Sequence, residues 1–184
     1  MKFKSILIIS IFSCISALHG QSDFFSVGLE AQQYPTGFIP GIRAELGLSN
    51  QSTLEFRIGA NIFDHQGFGV QEEESGEGSG GSIGYRYYFS NDYDKFFLGA
   101  RIDIWRNRVD WRDGLELPAG PIAGTSNIIV FQPTIIGGYV FQLGDHFRIT
   151  PTISGGLEWN VKTEGEPTGE GPIILWGLNL GYRI

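Results

Sequence analysis

Eight segments of this chain set large apolar residues against small or charged ones at every second position. The clearest is the run "PIILWGLNLGYRI" (Pro172–Ile184). Ile174, Trp176, Leu178, Leu180, Tyr182 and Ile184 share one parity, and Leu175, Gly177, Asn179, Gly181 and Arg183 share the other. Side chains of a strand point alternately to its two faces, so period two marks a strand with one apolar and one polar face. The same pattern runs through Phe25–Ala31, Ile42–Leu48, Leu54–Ile62, Ile83–Phe89, Phe96–Ile104 and Phe147–Trp159. It is weaker in Ile128–Phe141, where Val130 and Ile136 share the parity of Gln132 and Thr134. No stretch carries a helical period.

The connections alternate in length. Ser49–Ser52, Ser90–Lys95 and Gln142–His146 are short, and Phe63–Ser79, Asn107–Asn127 and Asn160–Gly171 are long, with Tyr34–Pro40 between. Long loops then gather at one end and tight turns at the other. An even-stranded up-and-down barrel has this layout. The expectation is an all-β fold, an eight-stranded antiparallel up-and-down barrel.

A soluble lipocalin-like barrel is apolar inside, whereas a membrane barrel is apolar outside. Three features favour the membrane form. The polar parity carries Arg43, Arg57, Arg86, Arg101, Arg148 and Arg183 with Glu30, Glu45, Glu55, Asp103 and Glu158. Arg suits enclosed carboxylate pairing, while Lys, the usual residue of a solvated strand face, is limited after residue 4 to Lys95 and Lys162. These eleven residues are expected to form a charge network that plugs the lumen. Aromatics also gather at both strand ends: Phe25, Phe89, Phe96, Phe97, Phe141, Phe147 and Tyr182 at one, Trp105, Trp111, Trp159 and Trp176 at the other. Such bands fit the girdles of two membrane–water interfaces. Finally, the apolar face of the last segment would be an aggregation-prone patch in water but not in lipid.

The first twenty residues read as a signal peptide: basic Lys2 and Lys4, apolar Ile6–Ala17, then Leu18-His19-Gly20. Lipoprotein processing at Cys14 is the rival, disfavoured by bulky Phe12 and by the apolar residues after Cys14. The barrel is then residues 21–184, with no cysteine for a disulfide, a thiolate or a metal. Without Lys2 and Lys4, 11 cationic residues face 20 acidic ones, a net charge of −9, which argues against a nucleic-acid partner.

With these features the chain resembles the small eight-stranded outer-membrane barrels of Gram-negative bacteria, the OmpX/OmpA type. The resemblance rests on strand number, loop alternation and the Arg/Glu lumen, and it covers all of the chain after the signal peptide. It implies an outer-membrane location with both termini periplasmic, a monomer, and lipids and lipopolysaccharide as surroundings. "GLNLGYRI" looks like the terminal-strand signal read by the barrel-assembly machinery, through Leu178, Leu180, Tyr182 and Ile184, although it ends in Ile rather than Phe. The Gln21 start is similar to secreted proteins of Bacteroidota.

Some barrels of this size are lipid-modifying enzymes that use His with Ser and a carboxylate. Here His146 falls in a short turn, and His65 follows Asp64 without a Ser at the required spacing, so no catalytic site is expected. "QEEESGEGSGG" (Gln71–Gly81) reads as a solvated, mobile acidic loop, not a dedicated Ca²⁺ site, and neither metal nor cofactor is expected. "WRNRVDWRD" (Trp105–Asp113) gathers Arg106, Arg108 and Arg112 between Trp105 and Trp111 at the rim. These are placed to contact lipopolysaccharide phosphates, the Trp rings lying at the interface, unless the Arg pair within the loop. A structural or surface-interaction role through loops 63–79 and 107–127 follows, with a narrow pore as the alternative.

Overall fold

A computed structural model describes residues 24–184. The signal segment and residues 21–23 lie outside the described residues. Eight strands follow in order: β1 (Phe25–Tyr34), β2 (Gly37–Ser49), β3 (Ser52–Gln66), β4 (Glu73–Tyr88), β5 (Lys95–Asp113), β6 (Ile122–Leu143), β7 (Phe147–Glu164) and β8 (Gly171–Arg183). Each pairs antiparallel with its chain neighbours, and β8 returns to β1 to close the barrel. The closing ladder sets Val27 opposite Tyr182 and Leu29 opposite Leu180, so no sheet edge is left.

The wall is apolar outside. Leu29, Ile42, Ile58, Ile135 and Leu180 are each more than half exposed. Such a belt would be unstable in water and is solvated by hydrocarbon in a bilayer. Among the described residues no helix is long and apolar enough to cross a membrane. Phe89, Phe96, Phe141, Phe147 and Tyr182 ring the outer face at the short-turn end, and Trp159 and Trp176 lie on it toward the other. This is an eight-stranded transmembrane β-barrel.

Proline tests such a wall, because it cannot donate to a ladder. The β2–β3 ladder skips Pro40, and the β6–β7 ladder skips both Pro133 and Pro151. Each of these prolines is paired on its other side, opposite Ala31, Ile102 and Leu178, and interrupts the ladder only on the side where its missing N–H would donate.

The long connections are shorter than the sequence suggests. The loops proper are residues 67–72, 114–121 and 165–170, because β3, β4, β5 and β6 continue past the apolar belt. Gln71–Gly81 is therefore mostly strand β4, paired from Glu73 opposite Arg112 onward, and not a mobile acidic loop. The glycines that make it look like a loop are inner wall. A Cβ on Gly80 would lie 2.6 Å from the Trp105 ring and 2.1 Å from the Ile104 carbonyl oxygen. Low strand propensity here reflects the room a large neighbour needs.

The wall is also lopsided. The β1–β2 turn comes at Pro35-Thr36, whereas β5 and β6 stay paired up to Asp113 opposite Ile122. Beyond Ile104, β5 runs on through Asp113, about 20 Å further at ordinary rise and tilt.

Candidate functional site: the lumen and the long-loop rim

The register sets like opposite like in the lumen. Arg43 faces Arg57 across the β2–β3 ladder, and Glu45 faces Glu55. Directly opposed like charges repel, so pairing runs along the strand and on the diagonal. Arg43 reaches Glu45 and Glu55, each at 3.0 Å. Arg86 binds Glu55 at 2.6 Å, and Arg148 lies 3.5 Å from Glu45. Glu30 receives Arg57 at 2.9 Å and Arg101 at 2.7 Å, and Arg57 also meets Asp103 at 2.5 Å. The Tyr88 hydroxyl and the Thr53 hydroxyl both donate to Glu45. Five Arg and four carboxylates thus form one buried cluster across β1–β5 and β7.

Glu158 and Arg183 are inward but outside this cluster, which corrects their assignment to the network. Glu158 is half-buried toward the long-loop end, where the levels around it are filled by apolar side chains instead of Arg. Arg183 sits at the other end, its guanidinium 5.3 Å from the Phe24 ring.

The cluster is capped on both sides. Toward the long loops lie Tyr34, Ile39, Trp105, Val109, Ile128, Val130 and Leu175. Toward the short turns lie Phe24, Tyr88, Tyr93, Phe97, Ile136 and Val140. Arginines at the boundaries lie against cap aromatics: Arg57 is 5.3 Å from Trp105, Arg86 4.4 Å from Phe97 and Arg148 4.9 Å from Phe24. The weak alternation of Ile128–Phe141 now has a cause. Val130 and Ile136 are not misplaced lipid-facing residues; they belong to the two caps.

Trp105 is fully buried in the lumen and Trp111 faces inward over Gly124, so neither ring lies at the membrane interface as expected. Phe97 likewise turns inward. Parity carries this signal: Phe97, Trp105 and Trp111 share odd numbers with Arg101 and Asp103 on one strand.

Arg106, Arg108 and Arg112 do face outward, above the belt. Arg108 lies 3.4 Å from Asp110 and Arg112 2.9 Å from Glu73. A shallow recess of about 330 Å³ opens beside Arg106 and Arg108, lined also by Glu77, Asn127 and Ser79. The three loops above it are tied together. Leu115 N–H donates to Glu72 at 2.9 Å, Gln71 to the Pro167 carbonyl at 2.9 Å, and Ser126 to the Glu166 carbonyl at 2.8 Å. Segments 64–79, 106–126 and 160–170 together hold eleven acidic and four cationic residues.

His65 lies 3.6 Å from buried Glu74, whose carboxylate accepts the Val70 N–H; Ser75 turns to the opposite face. His146 is at the short-turn end, stacked on Tyr182. Among the described residues no group of three or more His, Cys, Asp or Glu is arranged to hold a metal ion.

No family model matches the sequence, and no curated protein matches it. Its fold is similar to the N-terminal β-barrel domain of Pseudomonas aeruginosa OprF, with a TM-score of 0.53 at 12% identity over 89% of this chain and 98% of that one. The chain has the fold of the small eight-stranded outer-membrane barrels. Lower scores relate it to Ail, the attachment invasion locus protein of Yersinia pestis (TM-score 0.49, 9% identity, 88% of this chain and 97% of that one), and to Neisserial surface protein A (0.46, 12%, 88% and 95%). At these identities the likeness speaks for the fold alone.

Proposed function

We propose that this barrel resides in the outer membrane as a non-conducting monomer, with its termini periplasmic and its long loops at the cell surface. Its role is structural, or one of surface interaction through those loops. The observation that carries this reading is the lumen, where a buried Arg–carboxylate cluster lies between two apolar caps, an arrangement that supports a closed path. Eight strands make a lumen that side chains can fill. Supporting a surface role, the joined loops and the start of β6 expose Phe68, Val70, Leu117 and Ile122 within an acidic setting above the belt. Outward Leu178, Leu180, Tyr182 and Ile184 on or just after β8 suit recognition by the assembly machinery. A lipid-modifying activity has less support, since His65 meets a carboxylate but not a Ser.

Planar-bilayer recording on protein that shows heat-modifiable migration tests the reading. A flat trace is expected. Reproducible unitary conductance steps would favour the narrow pore and overturn the sealed-lumen role.

A further inference from the structure

Two cations straddle one aliphatic side chain on the outer wall. Arg106 on β5 and Lys162 on β7 both pair with Ile129 on β6, from opposite sides. Strands lie ~4.8 Å apart, so the two backbones are separated by about 10 Å. Lys162 reaches this face because of an irregularity. Ile129 pairs with Lys162 but Val130 pairs with Asn160, leaving Val161 as an extra residue in β7. Bulges re-aim side chains in this way. Strict alternation from outward Leu157 and Trp159 would turn Lys162 into the lumen.

What lies below and beside the pair points to a ligand. On the same face below Ile129, Phe131 stacks on Trp159 with ring centroids 6.1 Å apart and an interplanar angle of 9°. Below Arg106 is Ile104, the top of the apolar belt on β5. Arg106 has no carboxylate within 4.0 Å among the described residues; Glu164, which meets Lys162 at 2.6 Å and also feels the Arg106 charge, is the anion now beside both cations, and it and Lys162 are 62% and 59% exposed. Such a pair exchanges readily with a competing anion. The recess on the other side of Arg106 is lined by Glu77 as well as Arg108, Asn127 and Ser79, so the anion site lies on the Lys162 side of Arg106 and not in the recess.

We infer that Arg106 and Lys162 form a binding site for the phosphate of an outer-leaflet lipid, with Ile129 and the Phe131–Trp159 stack as the platform under its head group. The acyl chains then run down the apolar wall of β5–β7. This rests on the outer-membrane reading and on the long-loop end facing the cell surface. It departs from the sequence expectation by replacing Trp105, Trp111 and Arg112 with Lys162 and the aromatic stack.

The test titrates micelle-held protein with fluorescent lipid A bearing both phosphates, and with the same lipid after phosphatase treatment. The phosphorylated form should bind about tenfold tighter. Arg106→Gln/Lys162→Gln should bring the two lipids to within about twofold, and Arg112→Gln should leave the preference intact. Exchanging the charges by Arg106→Lys/Lys162→Arg should preserve most of it. Equal binding of both lipids by the unaltered protein overturns the site, as does an undiminished preference in the Gln double variant. Displacement of lipid A by millimolar inorganic phosphate overturns the lipid assignment in favour of a free anion. A conductance step in planar bilayers would remove the sealed-lumen role and leave this titration standing, so the two failures are distinguishable.

Discussion

The barrel uses Arg–carboxylate pairs in two places, and they do different work. In the lumen, Arg57, Arg101, Glu30 and Asp103 have side chains no more than 1% exposed. On the outer wall of β5, Arg108 and Asp110 are 65% and 56% exposed. Distances alone would rank them close: Arg112 meets Glu73 on the wall at 2.9 Å, as Arg57 meets Glu30 in the lumen. Solvent separates them. A buried charge without a partner is costly, whereas water and salt replace most of what an exposed pair supplies. The lumen pairs are therefore obligatory partners, and the wall charges are free to meet something else.

The most direct way to break this contrast is to remove one lumen charge. Glu30 lies within 4.0 Å of Arg43, Arg57, Arg86 and Arg101, so Glu30→Gln leaves five arginines facing three carboxylates. A loss of about 3–5 kcal/mol is expected, read from urea unfolding in lipid vesicles. Adding Arg101→Met should recover much of it by removing the stranded cation. A loss below about 1 kcal/mol would mean that the lumen is hydrated enough to behave like the outer wall.

Apolar caps bound the cluster at both ends, so the next test is there. Trp105→Ala should cost about 3 kcal/mol, because the ring is fully buried against Val109, Ile128 and Leu175. Conductance should stay absent, since the charged layer and the second cap remain. Gly80→Val reaches the same cap from the neighbouring strand β4, where Gly80 pairs with Trp105 and a Cβ meets the Trp105 ring at 2.6 Å and the Ile104 carbonyl at 2.1 Å. About 1–3 kcal/mol is expected, checked by the same unfolding midpoint.

This difference between lumen and wall also decides what was readable from the sequence. Strand number, order and closure follow from period two, because each strand must separate a lipid face from a lumen face. The Arg and acid residues stood out for the same reason. Trp105 did not, since a large aromatic near a strand end fits a girdle as well as a cap, and only its shared parity with Arg101 and Asp103 separates the two. The upper half of β4 was hidden by composition. Gly76, Gly78 and Gly80 read as loop, yet they are small because Phe63, Asn107 and Trp105 occupy the space in front of them. Lys162 was unreadable in a stronger sense, because the extra residue at Val161 reverses its side and nothing local in the sequence announces the register shift.

On the outer wall the same reasoning predicts small effects that charge state can still report. Asp110 accepts a hydrogen bond from the Thr125 hydroxyl at 2.6 Å, and this, with a weaker pull from Arg108, holds its carboxyl below the usual range. A carboxyl lowered in the folded state adds stability above its unfolded value and loses it as pH falls through the folded one. That contribution is therefore present at neutral pH, and it is small because Asp110 is exposed and salt screens its partners. Thr125→Val should move the Asp110 carboxyl back up toward its ordinary value in an NMR titration. The urea midpoint at neutral pH should stay unchanged within error. If that midpoint falls as far as it does for Glu30→Gln, the upper wall of β5 is not the solvated surface its exposure implies, and the division between obligatory and free charges fails there.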